Sequence, residues 1–215
     1  MIFESRTNLL LAASLSYLAG FNDAVGFKTL GGFFVSFMSG NSTRLAVDLA
    51  EHDWSHRGLL PLGIIVLFIV GVMIGTLVRG KVPRRKQAGV LAFVTAALAA
   101  AAILNALSQN AAAVALMVIA MGASNNVFVK EGEVSVGVTY MTGTLVKLGQ
   151  RLASRAIGSQ KPWHPYLVLW LGLLLGAVTG ALSYSLLDLK CLWIAFGLAA
   201  ALLLAYFFDA PGEAD

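Results

Sequence analysis

Charge is what this sequence has least of. Of its 215 residues only 12% are Asp, Glu, Lys or Arg, while 58% are apolar or aromatic. A soluble domain is charged at about a quarter of its positions. With a mean hydropathy of +0.80, the chain cannot cover a water-facing surface, which excludes a soluble globular domain and a disordered chain. Cysteine is nearly absent: Cys191 stands alone, so no disulfide framework holds the fold. Histidine is scarce and unclustered. His52 and His56 lie four apart in a polar connection without a third ligand, and His164 opens an apolar run. His-Glu-x-x-His, Gly-x-Ser-x-Gly and P-loop motifs are all missing, so no catalytic residue, metal ligand or cofactor is expected. The basic residues flank apolar runs without an aromatic stacking platform, which argues against nucleic acid.

What is present is a series of long charge-free runs. A helix rises about 1.5 Å per residue, so roughly 20 apolar residues cross a hydrocarbon core. Thr7 to Phe27, Gly58 to Val78, Pro162 to Leu187 and Cys191 to Phe208 each read as a span. No convincing small-x-small cleavage site follows Leu18, so the first is expected to be retained rather than removed as a signal peptide. Gln87 to Val129 holds 43 residues without a charge, enough for two spans turning at Leu107-Ser108-Gln109-Asn110. Six helices follow. Thr29 to Thr43 and Val134 to Val146 are uncharged but rich in Gly, Ser and Thr, and are re-entrant, spanning or interfacial.

The cations choose between these topologies. If neither segment crosses, Arg6, Arg79, Lys81, Arg84, Arg85, Lys86, Lys130, Lys147, Arg151, Arg155 and Lys161 share one side, against Lys28, Arg44, Arg57 and Lys190. Eight spans would divide the cations almost evenly. The positive-inside rule therefore favours six spans with both termini cytoplasmic.

The sequence also repeats itself. Phe37-Met38-Ser39-Gly40-Asn41-Ser42-Thr43-Arg44-Leu45 aligns with Tyr140-Met141-Thr142-Gly143-Thr144-Leu145-Val146-Lys147-Leu148 at an offset of 103. The same offset carries Asn22-Asp23 onto Asn125-Asn126. A shift of two more residues carries Gly71-x-x-x-Gly75 onto Gly176-x-x-x-Gly180. A three-span unit repeated in tandem must insert its copies in opposite directions. The expected fold is thus all-α: a polytopic transmembrane helical bundle of six spans in two inverted three-helix repeats, residues 1–107 and 108–215 of one membrane domain.

Asp23 is the sole acidic residue within the runs. A carboxylate in hydrocarbon costs about 2.5–3.5 kcal/mol on insertion scales, which makes it a functional candidate by default. It would bind a cation or a proton; alternatively it pairs with Lys28 or caps a helix break. The segments holding Ser39, Gly40, Asn41 and Thr43, and Thr142, Gly143 and Thr144, mix hydroxyls, amides and glycine. They suit a non-helical backbone lining a polar cavity. The competing reading is a turn followed by an amphipathic interfacial helix. Arg44 and Lys147 would face an anionic solute or reach to headgroups. The expected site is a pathway built from these residues with Asn22, Asp23, Asn125 and Asn126. The Gly-x-x-x-Gly faces serve close helix packing, and they are also where a homo-oligomer would form.

Gly20-Phe21-Asn22-Asp23-Ala24-Val25-Gly26-Phe27, Gly31 to Leu45, and Thr139 to Gly149 together resemble the YoaK-like family of bacterial inner-membrane proteins. Ser39-Gly40-Asn41-Ser42-Thr43 departs from the Thr-Gly-Asn-Thr expected there, but keeps the hydroxyl. The resemblance implies a plasma-membrane protein and, since the family is of unknown function, no substrate. The function expected from the residues is a small transporter or channel for a small solute or ion, cation- or proton-coupled through Asp23. A non-transporting membrane scaffold or sensor is the alternative.

Overall fold

The computed structural model describes residues 6–52, 55–82, 85–130, 132–158 and 161–209. Arg84, one of the counted cations, lies outside them. Eight α-helices carry the fold: α1 (Arg6–Thr29), α2 (Met38–Ala50), α3 (His56–Lys81), α4 (Lys86–Ala106), α5 (Asn110–Ser124), α6 (Met141–Ala156), α7 (His164–Leu187) and α8 (Leu192–Asp209). A two-stranded hairpin pairs β1 (Val129–Lys130) with β2 (Glu133–Val134). Among the described residues four stretches are long and apolar enough to cross a membrane: Arg6–Thr29, Gly58–Lys81, Lys86–Ala106 and His164–Phe208. The last comprises α7 and α8, separated by a single 3-10 turn at Asp188–Cys191. Helix α5 is apolar but shorter at 15 residues. Nine of those residues are buried, so it is a central helix sheathed by its neighbours.

Helix sense follows from which ends meet. Thr29 at the end of α1, Asn105 and Ala106 at the end of α4, Tyr184 near the end of α7, and Asn110 and Trp193 near the starts of α5 and α8 surround one open hollow. At the other end, Arg85 before α4 lies over the Phe207 ring near the end of α8, 5.3 Å from its centroid. Helices α1, α4 and α7 therefore run one way, and α5 and α8 the other.

The glycines complete the pattern. A methyl group on Gly71 or Gly75 of α3 would strike the backbone of Ile119 or Ala123 on α5. On Gly172, Gly176 or Gly180 of α7 it would strike the carbonyls of Ala13, Tyr17 or Phe21 on α1. Both series ascend together, so α3 runs parallel to α5, and α7 parallel to α1. In lipid no hydrophobic force drives helices together, and close backbone approach through small residues supplies the packing instead. These glycine faces are occupied inside the chain, so an oligomer would have to use other surfaces.

Residues Leu62, Val66, Met73 and Leu77 all point outward from α3 at helical spacing. They form an apolar stripe suited to lipid tails. The chain leaves α1 and enters α3 at the same end, and leaves α5 and enters α7 at the opposite end. The short amphipathic helices α2 and α6 lie in these two returns, α2 packed on α3 and α6 on α7. Helix α6 buries no residue.

Candidate functional site

In the first return, α1 continues past Asn22 and Asp23 to Thr29, then the chain reverses at Gly31 (φ 68°) and Gly32 (φ 108°). Positive φ is available to glycine at little steric cost. The residues that follow double back along α1. There the Asp23 Oδ1 accepts the backbone N–H groups of Val35 (2.9 Å) and Ser36 (2.7 Å), and Oδ2 accepts the Ser36 hydroxyl at 2.6 Å. Asn41 clamps Phe34 from both sides, its Oδ1 accepting the Phe34 N–H and its Nδ2 donating to the Phe34 carbonyl. Non-helical backbone survives at membrane depth only when protein satisfies it, and Asp23 and Asn41 do so here. Arg44 folds back as well, donating to the Gly32 carbonyl at 2.8 Å and lying over the Phe33 ring.

The second return is held differently. Asn125 Nδ2 donates to the Met121 carbonyl four residues back (3.2 Å), as Asn22 Nδ2 does to Leu18 (2.8 Å). Asn126 reaches across to α3: its Oδ1 accepts the Thr76 hydroxyl at 2.9 Å and its Nδ2 donates to the Val72 carbonyl at 3.1 Å. Arg79 of α3 donates to the carbonyls of Asn126, Val127 and Val129, capping the exit from α5. After the hairpin the chain doubles back, and the Thr139 hydroxyl donates to Asn125 Oδ1 at 3.1 Å. The Ser16 hydroxyl of α1 donates to the Val138 carbonyl, tying this return to the first half.

The two returns meet at one cavity of about 380 Å³. Ser36 to Ser39 form one wall, Thr139 to Gly143 another, and Ile65, Phe68 and Ile69 of α3 a third. Phe68 is about 18 Å from the start of α3 by the helical rise, close to the middle of that helix. No charged side chain lines the cavity.

Of the residues singled out from sequence, Ser39, Thr142 and Gly143 lie on the cavity walls. Asn22, Asn41, Asn125 and Asn126 are buried and Asp23 is half-buried, and none of the five lines the cavity. Thr43 and Thr144 bond carbonyls on their own helices. Lys147 is exposed on α6, and Arg44 is turned away onto Gly32. Gly40 packs beside the Phe37 ring, which a methyl group would strike, whereas a methyl on Gly143 meets nothing. Sequence reasoning missed Ser36 and Thr139, although they share the 103-residue offset and precede the aromatic residue of each segment. Thr76, Arg79 and the α3 wall carried no local signal, because their partners lie some 50 residues away.

Long apolar helices, a lipid-facing stripe and polar returns sealed by protein define an integral membrane protein. The family described as "Protein of unknown function (DUF1275)" matches residues 11–205, and the chain belongs to it. UPF0700 transmembrane protein RA0705 of Rhizobium meliloti (strain 1021) is 38% identical over 212 residues, covering 97% of this chain and 89% of the relative. UPF0700 transmembrane protein YoaK of Bacillus subtilis (strain 168) is 28% identical over 152 residues, 67% of each chain. The YoaK-like membership read from the two motifs is thereby borne out. No solved structure matches the chain.

Proposed function

We propose that the protein is a six-span transporter or channel of two inverted three-helix repeats, and that the cavity between the returns is its solute pathway. The antiparallel sense of α1 and α5 supports the inversion, as does the exchange in which the second span of each unit, α3 or α7, packs on the first helix of the other, α5 or α1. The end carrying Arg79, Lys81, Arg85 and Lys86 faces the cytoplasm, with both termini, in the plasma membrane of a bacterium.

One observation carries the functional reading: segments 103 residues apart converge on a single cavity midway along α3. Its walls offer the hydroxyls of Ser39 and Thr142, the thioethers of Met38 and Met141, and aromatic faces, without a fixed charge. A small uncharged solute suits such walls better than the ion suggested by Asp23, whose carboxylate serves the backbone of the first return. Any role of Asp23 in coupling is thus exerted from behind the wall.

Flux of uncharged solutes such as glycerol and urea into proteoliposomes, followed by light scattering, tests this. Wild-type protein should accelerate entry of at least one solute, and Gly143→Trp should abolish the gain by filling the cavity. Equal flux in wild type and in empty liposomes, or full flux in Gly143→Trp, would overturn it. A scaffold or sensor role is the second reading. It is favoured by the internal bonding of Asp23, Asn41, Asn125 and Asn126, and it predicts no flux at all.

A further inference from the structure

Helices α7 and α8 follow one another through a single 3-10 turn, yet they hardly touch. Helix α1 lies behind the gap and packs on both. The gap is a groove of about 420 Å³. Its walls are one face of α1 from Leu10 to Tyr17, one face of α7 from Val168 to Leu175, and α8 from Leu198 to Leu202. The wall residues on α1 and α7 recur at three- and four-residue spacing, so the groove runs along the two parallel helices for about two turns. Short side chains at Ala13, Ser14 and Ala201 leave the space, and the exposed Leu10, Val168, Leu171 and Leu175 form its rims. At the deep end Tyr17 is tied to Thr179 of α7, hydroxyl to hydroxyl at 2.6 Å.

Depth and charge say what fills it. Leu10 lies about 6 Å and Tyr17 about 16 Å along α1 from Arg6, so the groove stays within one half of a core about 30 Å thick. Arg6 and His164 stand four residues ahead of Leu10 and Val168, on the same helix faces, and both are exposed. Tyr206 stands four residues beyond Leu202 on α8. Because α8 runs opposite to α1 and α7, all three residues belong to the same mouth. Lys161 precedes α7 at this end, and Asp209, which closes α8, is the acid on these three helix ends.

We infer that the groove is a binding site for one anionic phospholipid, with an acyl chain lying along α1 from Leu10 to Tyr17 and the phosphate held at Arg6 and His164. The groove opens sideways onto hydrocarbon, and an acyl chain supplies the contacts that α7 and α8 do not make with each other. A guanidinium presents the forked donors that phosphate oxygens accept, the imidazole adds an N–H, and Tyr206 sits at the depth where tyrosine favours the headgroup layer. A second copy is the competing occupant. A two-fold dimer through this groove would set Arg6 and Lys161 of one chain beside those of the other, a like-charge contact that opposes association.

This site goes beyond the transport reading and stands whether or not the protein moves a solute. The full chain in detergent, titrated with phosphatidylglycerol or with phosphatidylcholine of the same acyl chains, tests it by native mass spectrometry and thermal unfolding. One phosphatidylglycerol should be retained with at least tenfold preference, as expected for two cations near a lipid surface, and should raise the melting temperature. Ala201→Phe, at an exposed position the fold tolerates, fills the groove and should abolish retention. Arg6→Gln should weaken phosphatidylglycerol about fivefold, the share of one cation, and leave phosphatidylcholine unchanged. Glycerol phosphate, a headgroup without tails, should neither be retained nor shift melting. Equal retention of the two lipids, undiminished retention in Ala201→Phe, or capture of glycerol phosphate as tight as that of the lipid would overturn the site. So would a dimer that Ala201→Phe dissociates, which would assign the groove to a second copy.

Discussion

Asp23 and Asn126 stand 103 residues apart at matching places in the sequence, yet they face different tasks. Asp23 receives: three donors from its own return converge on its carboxylate. Asn126 gives and receives, reaching from its return to α3 of the other half. The two positions differ by a carboxylate for an amide, and the two returns are held differently. The first return is fastened to the helix it follows. The second is fastened across to α3, where Arg79 adds three more bonds.

If packing is shared and polar fastening is not, substitutions should separate the two. Gly176→Leu on α7 and Gly71→Leu on α3 drive a side chain into the facing backbone. Each should cost about 3 kcal/mol or more, and the two losses should match when unfolding is followed in detergent. A clear inequality would break the equivalence of the halves. Exchanging the polar pair sharpens the contrast. Asn126→Asp sets a carboxylate against the Val72 and Ala123 carbonyls and should cost about 3 kcal/mol. Asp23→Asn keeps an acceptor for the Val35 and Ser36 N–H groups and should cost under about 1 kcal/mol.

Arg79→Ala leaves three carbonyls without a charged donor and should destabilise by about 2 kcal/mol. Arg44→Ala loses one such bond and a ring contact, and about 1 kcal/mol should suffice. Thr139→Val strands Asn125 Oδ1, again at about 1 kcal/mol. It would give the second half the unpartnered buried acceptor now confined, among the described residues, to Asn22.

Much of this was legible in the chain. Charge-free runs marked α1, α3, α4, α7 and α8 within a few residues, since a long apolar helix is what hydrocarbon permits. The polar Ser108-Gln109-Asn110 stretch marked the turn before α5. The two matching segments pointed to both returns, because each carries an aromatic-Met-Ser/Thr-Gly stretch at the 103-residue offset. The points where α2 and α6 begin were not readable, nor was the hairpin at 129–134, since both depend on where the returning chain finds partners. Asp23 stood out for its charge, but its partners Val35 and Ser36 offer only backbone and one hydroxyl. Arg79 looked like one more cation of a basic loop. Its role is set by the packing of α3 beside α5, which local sequence does not specify.

The central claim is that the two returns wall one solvent-reachable cavity beside the middle of α3. Single cysteines at Ser39 and Thr142, paired in a Cys191→Ala background and treated in membranes with a short bifunctional thiol reagent, test it directly. The account predicts that both thiols react and that the doubly substituted chain gains an intrachain cross-link. Thiols that stay unreactive, or that react singly and never join, would contradict it.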